Sequence, residues 1–163
     1  MAVDFSLLSD EDLVFAYSSL LTALRDRKII RSKNVIGDLG EYLAINLYNK
    51  TPGLPNLQAA PQGTQNVDAL SRNGDRYTIK STTGKVTGVF YGLPPQGSNA
   101  SPSRKFEYVI IVIFNKEYKL LRINQLTWDD FLKYKRWHSR MNAWNIPINK
   151  ELLLETKTIF ANE

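Results

Sequence analysis

Apolar positions recur along this chain with two different periods. Ser9-Asp10-Glu11-Asp12 reads as a helix start, with Ser9 as N-cap and acids in the first turn. Leu13, Tyr17, Leu21 and Leu24 follow at helical spacing, so an amphipathic helix is predicted to about Arg27. A second helix begins near Asn34. Ile36, Leu39 or Gly40, Leu43 and Leu47 give it an apolar stripe, and Thr51-Pro52-Gly53 ends it. Gly37 and Gly40 lie inside this helix although each costs roughly 1 kcal/mol against Ala. Something therefore packs closely just before Glu41, either a neighbouring strand or a phosphate backbone.

Beyond a Pro-, Gly- and Gln-rich stretch at 52–64, read as a loop, the period changes to two. Residues 66–71 and 76–81 alternate as strands around Asn73-Gly74, a hairpin signal. Their apolar members, Val67, Ala69, Tyr77 and Ile79, should face the core together. A three-residue loop, Arg72-Asn73-Gly74, with Gly74 left-handed, pairs Asp68 with Thr78 and Asn66 with Lys80. A two-residue turn would instead put Asp68 and Lys80 on opposite faces. Tyr108 to Phe114 is nearly all apolar and β-branched, which predicts a central strand buried on both faces. Tyr118 to Ile123 is its expected hairpin partner. Thr127-Trp128-Asp129-Asp130 starts another helix, and the tail reads as a helix near 150–154 or an edge strand near 155–160. Residues 84–105 form the longest irregular stretch, a lid, a binding loop or a disordered surface loop. The order of elements predicts an α/β (α+β) fold in a single domain over residues 1–163.

Composition narrows the function. A chain of 163 residues that is 43% hydrophobic can bury one core, and no apolar run approaches a membrane span. The N-terminus lacks the basic and apolar regions of a secretory signal, and cysteine is absent. No disulfide, cysteine-zinc site or thiol nucleophile is available, which fits a cytoplasmic protein without a membrane partner. The net charge is +5. Basic residues gather at Arg25 to Lys33, at Arg72, Arg76, Lys80 and Lys85, and at Lys133, Lys135, Arg136 and Arg140, the last group interleaved with Tyr134 and Trp137. That mixture suits phosphate contacts and base stacking, although charge alone favours a solvated surface. From these groups Arg72, Arg76, Lys85, Lys133, Arg136 and Arg140 are the expected nucleic-acid contacts.

Most catalytic classes fall away. His138 is the sole histidine, and no phosphate-binding glycine loop or zinc spacing occurs. What remains is Asp68 on one strand of the hairpin, Thr78-Ile79-Lys80 on the next, and Gly37-Asp38-Leu39-Gly40-Glu41 on the preceding helix. On these residues the chain resembles the PD-(D/E)XK restriction-endonuclease-like nucleases. Those proteins carry an Asp on one strand, Glu-x-Lys or Gln-x-Lys on its neighbour, and often a Glu on an earlier helix. The resemblance spans about Ser9 to Ile123 and departs at Thr78, where the family has Glu or Gln.

The resemblance implies a central mixed sheet flanked by helices and a metal-dependent endonuclease acting on nucleic acid, DNA in the first instance. Asp68, Glu41 and the Ile79 carbonyl would hold Mg²⁺ or Mn²⁺, Thr78 would bond a coordinated water, and Lys80 would orient the attacking water or stabilise the phosphate. The alternative is a catalytically silent domain of the same fold that binds nucleic acid or a partner. Without the family pattern, Asp68 and Lys80 read rather as a cross-strand ion pair and Glu41 as a solvent-facing helix residue. Monomer and homodimer both remain open.

Overall fold

The computed structural model describes residues 2–162. In chain order the elements are α1 (Asp10–Asp26), α2 (Val35–Lys50), β1 (Leu57–Ala59), β2 (Ala69–Ser71), β3 (Arg76–Thr82), β4 (Tyr108–Phe114), β5 (Leu120–Thr127), α3 (Trp128–Tyr134), β6 (Arg136–His138), β7 (Ala143–Asn145), α4 (Lys150–Glu155) and β8 (Lys157–Ala161). Six strands form one mixed sheet in the order β1-β2-β3-β4-β5-β8, and β6 pairs with β7 apart from it. Only β3 and β4 run parallel, so the long stretch between them crosses over the sheet. No helix among the described residues is long and apolar enough to cross a membrane.

The apolar run at Tyr108 to Phe114 is the inner strand that its composition predicts. Ile110, Val112 and Phe114 face a core shared with Ala44 and Tyr48 of α2. Val109 and Ile111 face a second core with Phe106, Phe131 of α3 and Leu152 of α4. Strand β4 thus holds two layers together, which is why it carries apolar side chains on both faces. Both readings of the tail hold, because α4 and β8 follow each other directly. The stretch read as loop at 52–64 contains β1, whose three residues are too few for alternation to reveal.

The hairpin has the predicted loop. Ala69 opposes Tyr77 and Leu70 opposes Arg76, a register that puts Thr78 level with Asp68. Gly74 is left-handed at φ 85°, and its N–H donates to the Ser71 carbonyl at 3.0 Å. The first strand, however, is shorter than its alternation suggested. Asn66 sits at φ 61° in a turn and does not pair with Lys80, and Val67 lies outside the core that holds Ala69, Tyr77 and Ile79. Asp68 ends the strand because its own carboxylate takes the N–H of Ile79, closing the ladder with a side chain.

The helices begin as their caps direct. Ser9 Oγ accepts from the Asp12 N–H, Asn34 Oδ1 from the Gly37 N–H and Thr127 Oγ1 from the Asp130 N–H. Gly40 explains the close packing inferred from its position. A Cβ there would lie 1.7 Å from Ser81 Oγ and 2.9 Å from Ser81 Cβ, so the neighbour that requires glycine is strand β3. Ser81 Oγ is itself buried without a hydrogen-bond partner among the described residues. Two substitutions with opposite signs follow. Gly40→Ala should destabilise the fold by about 1–3 kcal/mol in urea unfolding, because helix and strand must separate. Ser81→Ala should be neutral or stabilising by up to about 1 kcal/mol, because it removes an unpaired hydroxyl. Equal losses for both would refute this account of the contact.

Candidate active site at the end of the first hairpin

Glu41 lies one residue beyond Gly40 on α2, and Lys80 one residue before Ser81 on β3. The contact between Gly40 and Ser81 therefore sets the two functional groups on either side of it. Asp68 comes to the same region from the short end of β2. Its Oδ2 accepts from the Ile79 N–H at 2.6 Å and from Thr78 Oγ1 at 3.2 Å. Its Oδ1 has no hydrogen-bond partner among the described residues, nor has Glu41 Oε1.

Glu41 and Asp68 share the lining of one open cleft of about 230 Å³. Arg31, Ser32, Asn34 and Asp38 form one side of it, and the turn Pro61 to Thr64 forms the other. Arg31 enters from the α1–α2 connection and pairs with Glu41 at 2.7 Å. Asp38 holds that connection in place, since its Oδ2 accepts from the N–H groups of Arg31 and Ser32 at 2.7 and 2.6 Å and from Ser32 Oγ at 3.0 Å. Burial of Glu41, repulsion from Asp68 and repulsion from Asp38 together outweigh the attraction of Arg31. They push the Glu41 carboxyl up to about 7, so protonated and ionised forms both occur near neutral pH.

Lys80 approaches from the Thr78 side of β3 and does not line this cleft. Its Nζ lies 4.9 Å above the Phe90 ring, with no hydrogen bond or ion pair to a described residue. Burial lowers its pKa, and the nearby Asp68 and Glu41 resist that shift. Of the three side chains that the resemblance assigns to one site, the two acids share the cleft and the amine is set behind them within their electrostatic reach.

Two carboxylates with free oxygens, one of them raised in pKa by burial and by the other's charge, match the donor set of a hard divalent cation that retains several waters. Among the described residues no three His, Cys, Asp or Glu side chains gather as a fuller ligand set. Thr78 is buried with its hydroxyl turned to Asp68.

The expected nucleic-acid contacts divide. Arg76 is held by Glu107 at 2.8 Å, and that guanidinium draws the Glu107 carboxyl down to about 2. Lys133 pairs with Glu155, which also accepts from the Tyr134 hydroxyl. Trp137 packs edge-on against Trp144 with ring centres 5.1 Å apart. Arg72 at the hairpin tip and Lys85, Arg136 and Arg140 on exposed loops or strand edges make no ion pair with a described residue. His138 supports a turn, its Nδ1 accepting from the Met141 N–H at 3.2 Å.

Sequence reasoning passed over Asp38 and the role of Arg31. Asp38 resembles any acid in a helix first turn, and the loop it binds lies six and seven residues upstream. No family model matches the chain, and no curated protein matches it in sequence.

The raised Glu41 carboxyl makes stability depend on pH. Between its ordinary 4.5 and about 7, the folded protein holds a proton that the unfolded chain releases, so this group's contribution declines as pH rises through that window. Glu41→Gln should remove that decline and leave the variant more stable at pH 8 by on the order of 1–3 kcal/mol, with little difference at pH 4. Urea unfolding across this range is the measurement, and parallel curves for the two proteins would exclude a protonated Glu41.

Proposed function

We propose that the chain is a metal-dependent nucleic-acid phosphodiesterase, an endonuclease whose substrate is DNA. The observation that carries this reading is the pairing of Glu41 and Asp68 across one cleft, each with a free carboxylate oxygen, in front of an unpaired lysine. The acids and the Ile79 carbonyl would hold Mg²⁺ or Mn²⁺, which stabilises charge on a phosphoryl group and lowers the pKa of bound water.

The chain's own groups have separable tasks. Asp68 is oriented by the Ile79 N–H and Thr78 hydroxyl, so one oxygen is fixed and the other faces the cleft. Glu41 must lose its proton to act as a ligand, and its two acidic neighbours oppose that loss until positive charge arrives. Arg31 then gains freedom to turn from Glu41 toward a phosphate oxygen, a role that suits a guanidinium. Lys80, with its pKa lowered by burial, can stabilise the pentavalent phosphate or hand a proton to the leaving oxygen. Arg72, Lys85, Arg136 and Arg140 supply sequence-independent attraction to the backbone.

A second reading has its own support in Thr78. With threonine in place of an acid and Arg31 already on Glu41, the site serves equally a domain that binds nucleic acid without cutting it. Plasmid cleavage with Mg²⁺ or Mn²⁺ separates the two. The nuclease reading expects nicked and linear products, lost about 10²-fold or more in Glu41→Ala, Asp68→Asn and Lys80→Met. It also expects cation-induced thermal stabilisation that strengthens as pH rises through 7, where Glu41 ionises. Salt-sensitive binding with no cleavage supports the silent domain, and binding by neither criterion refutes both. Arg136→Ala with Arg140→Ala should weaken binding equally across sequences and reduce its salt dependence.

A further inference from the structure

Helix α1 has no buried residue, although its sequence carries a continuous apolar stripe. Leu13, Ala16, Tyr17, Leu20, Ala23 and Leu24 lie along one side at helical spacing. Tyr17 is 63% exposed and Leu20 54%, while Phe5 from the preceding segment folds over the stripe. Phe5, Leu13, Ala16, Tyr17 and Leu20 line an apolar groove of about 280 Å³.

A helix of 17 residues containing Val14, Phe15, Ser18, Ser19 and Thr22 is marginal alone in water, since most helical stability comes from packing an apolar face. Its capped start and its C-terminal bonds, from the Ile29 and Ile30 N–H groups to the Leu24 carbonyl, define its two ends. They do not cover the stripe.

Charge identifies what covers it. The first turn bears Asp10, Glu11 and Asp12, and the other end bears Arg25, Arg27 and Lys28. An antiparallel neighbour with the same sequence sets each acidic end beside a basic one and opposes the two helix dipoles favourably. Placing Tyr17 level with the second copy's Leu20 brings Leu13 level with Leu24, and Asp10 and Asp12 into the zone of Arg25 and Arg27. One alignment thus satisfies both the apolar and the charged positions, as a two-fold interface requires. Ala16 and Ala23 let the helix axes approach closely. Two such helices, each about 25 Å long and flanked by Phe5, bury on the order of 1,000 Å² in total, the lower limit for a specific dimer.

We infer that α1 is a homodimerisation helix that pairs antiparallel with α1 of a second copy of this chain. The inference stands apart from the nuclease reading, because it uses no residue of the cleft. Sedimentation velocity of the whole chain over a range of concentrations tests it. The expected result is a reversible dimer that Leu13→Asp with Leu20→Asp converts to a monomer, with near-ultraviolet circular dichroism unchanged. Arg25→Glu with Arg27→Glu should weaken the dimer at least about tenfold, and adding Asp10→Lys with Asp12→Lys should restore it. A wild-type monomer at every concentration would overturn the proposal and leave the stripe to a different macromolecule. A dimer indifferent to the two leucine substitutions would also overturn it, and failure of the charge exchange to restore association would overturn the antiparallel arrangement.

Discussion

Helix α2 rests on strand β3 at the point where Gly40 meets Ser81, and no side chain on the helix could occupy that space. The contact fixes the height of the helix above the sheet. It also fixes where Glu41 emerges, because that residue follows Gly40 directly, while Lys80 precedes Ser81 on the strand below. Ala44 and Tyr48, one and two turns further along α2, complete the packing against Tyr77, Ile79 and Val112. The Tyr48 hydroxyl donates to Gln125 Oε1 at 2.7 Å, which ties the same helix to β5. The position of the acid is therefore a consequence of core packing rather than of a mobile loop, and loosening the helix would move the site with it.

A cost accompanies this arrangement. Ser81 gives up a hydrogen bond, Glu41 is crowded by Asp68 and Asp38, and Lys80 is drawn into apolar surroundings beside Phe90. Each raises the energy of the folded state, and Glu41 and Lys80 are the chain neighbours of the two residues, Gly40 and Ser81, that meet where α2 rests on β3. Such concentrations of unfavourable electrostatics are common where proteins bind charge or do chemistry, because a structural optimum would have relieved them. The Arg31–Glu41 pair offsets part of the strain, and Asp38 keeps Arg31 close enough to do so. By contrast, Arg76 with Glu107 and Lys133 with Glu155 are pairs whose partners lower the energy of both members. This difference separates the cleft from the rest of the charged surface better than net charge does.

Periodicity and capping made the framework legible from the residues alone. The starts of three helices at Ser9, Asn34 and Thr127, the inner strand from Tyr108, and the left-handed Gly74 all depend on neighbours a few positions away, so local chemistry decides them. The hairpin register followed from the same logic, and with it the placement of Asp68 beside Thr78. What local chemistry could not settle was where a regular pattern stops. Residues 66–71 alternate throughout, yet the strand begins only at Ala69, because the Asp68 carboxylate replaces a main-chain acceptor for Ile79.

The remaining decisions belong to the tertiary structure because they join residues far apart in sequence. The parallel pairing of β3 with β4 across the long crossover, the short β1 on the sheet edge, and Arg31 on Glu41 have no signature in any window of the chain. The same is true of Lys80, whose place behind the two acids rather than in their cleft is set by Phe90 on the crossover. The sequence determined which residues were chemically able to act and which surface each strand would present. Only packing decided which of them share a cleft, which are neutralised by a distant partner, and that α1 stands clear of the core with its apolar stripe uncovered, since burial depends on the whole chain's arrangement and not on the pattern within one helix.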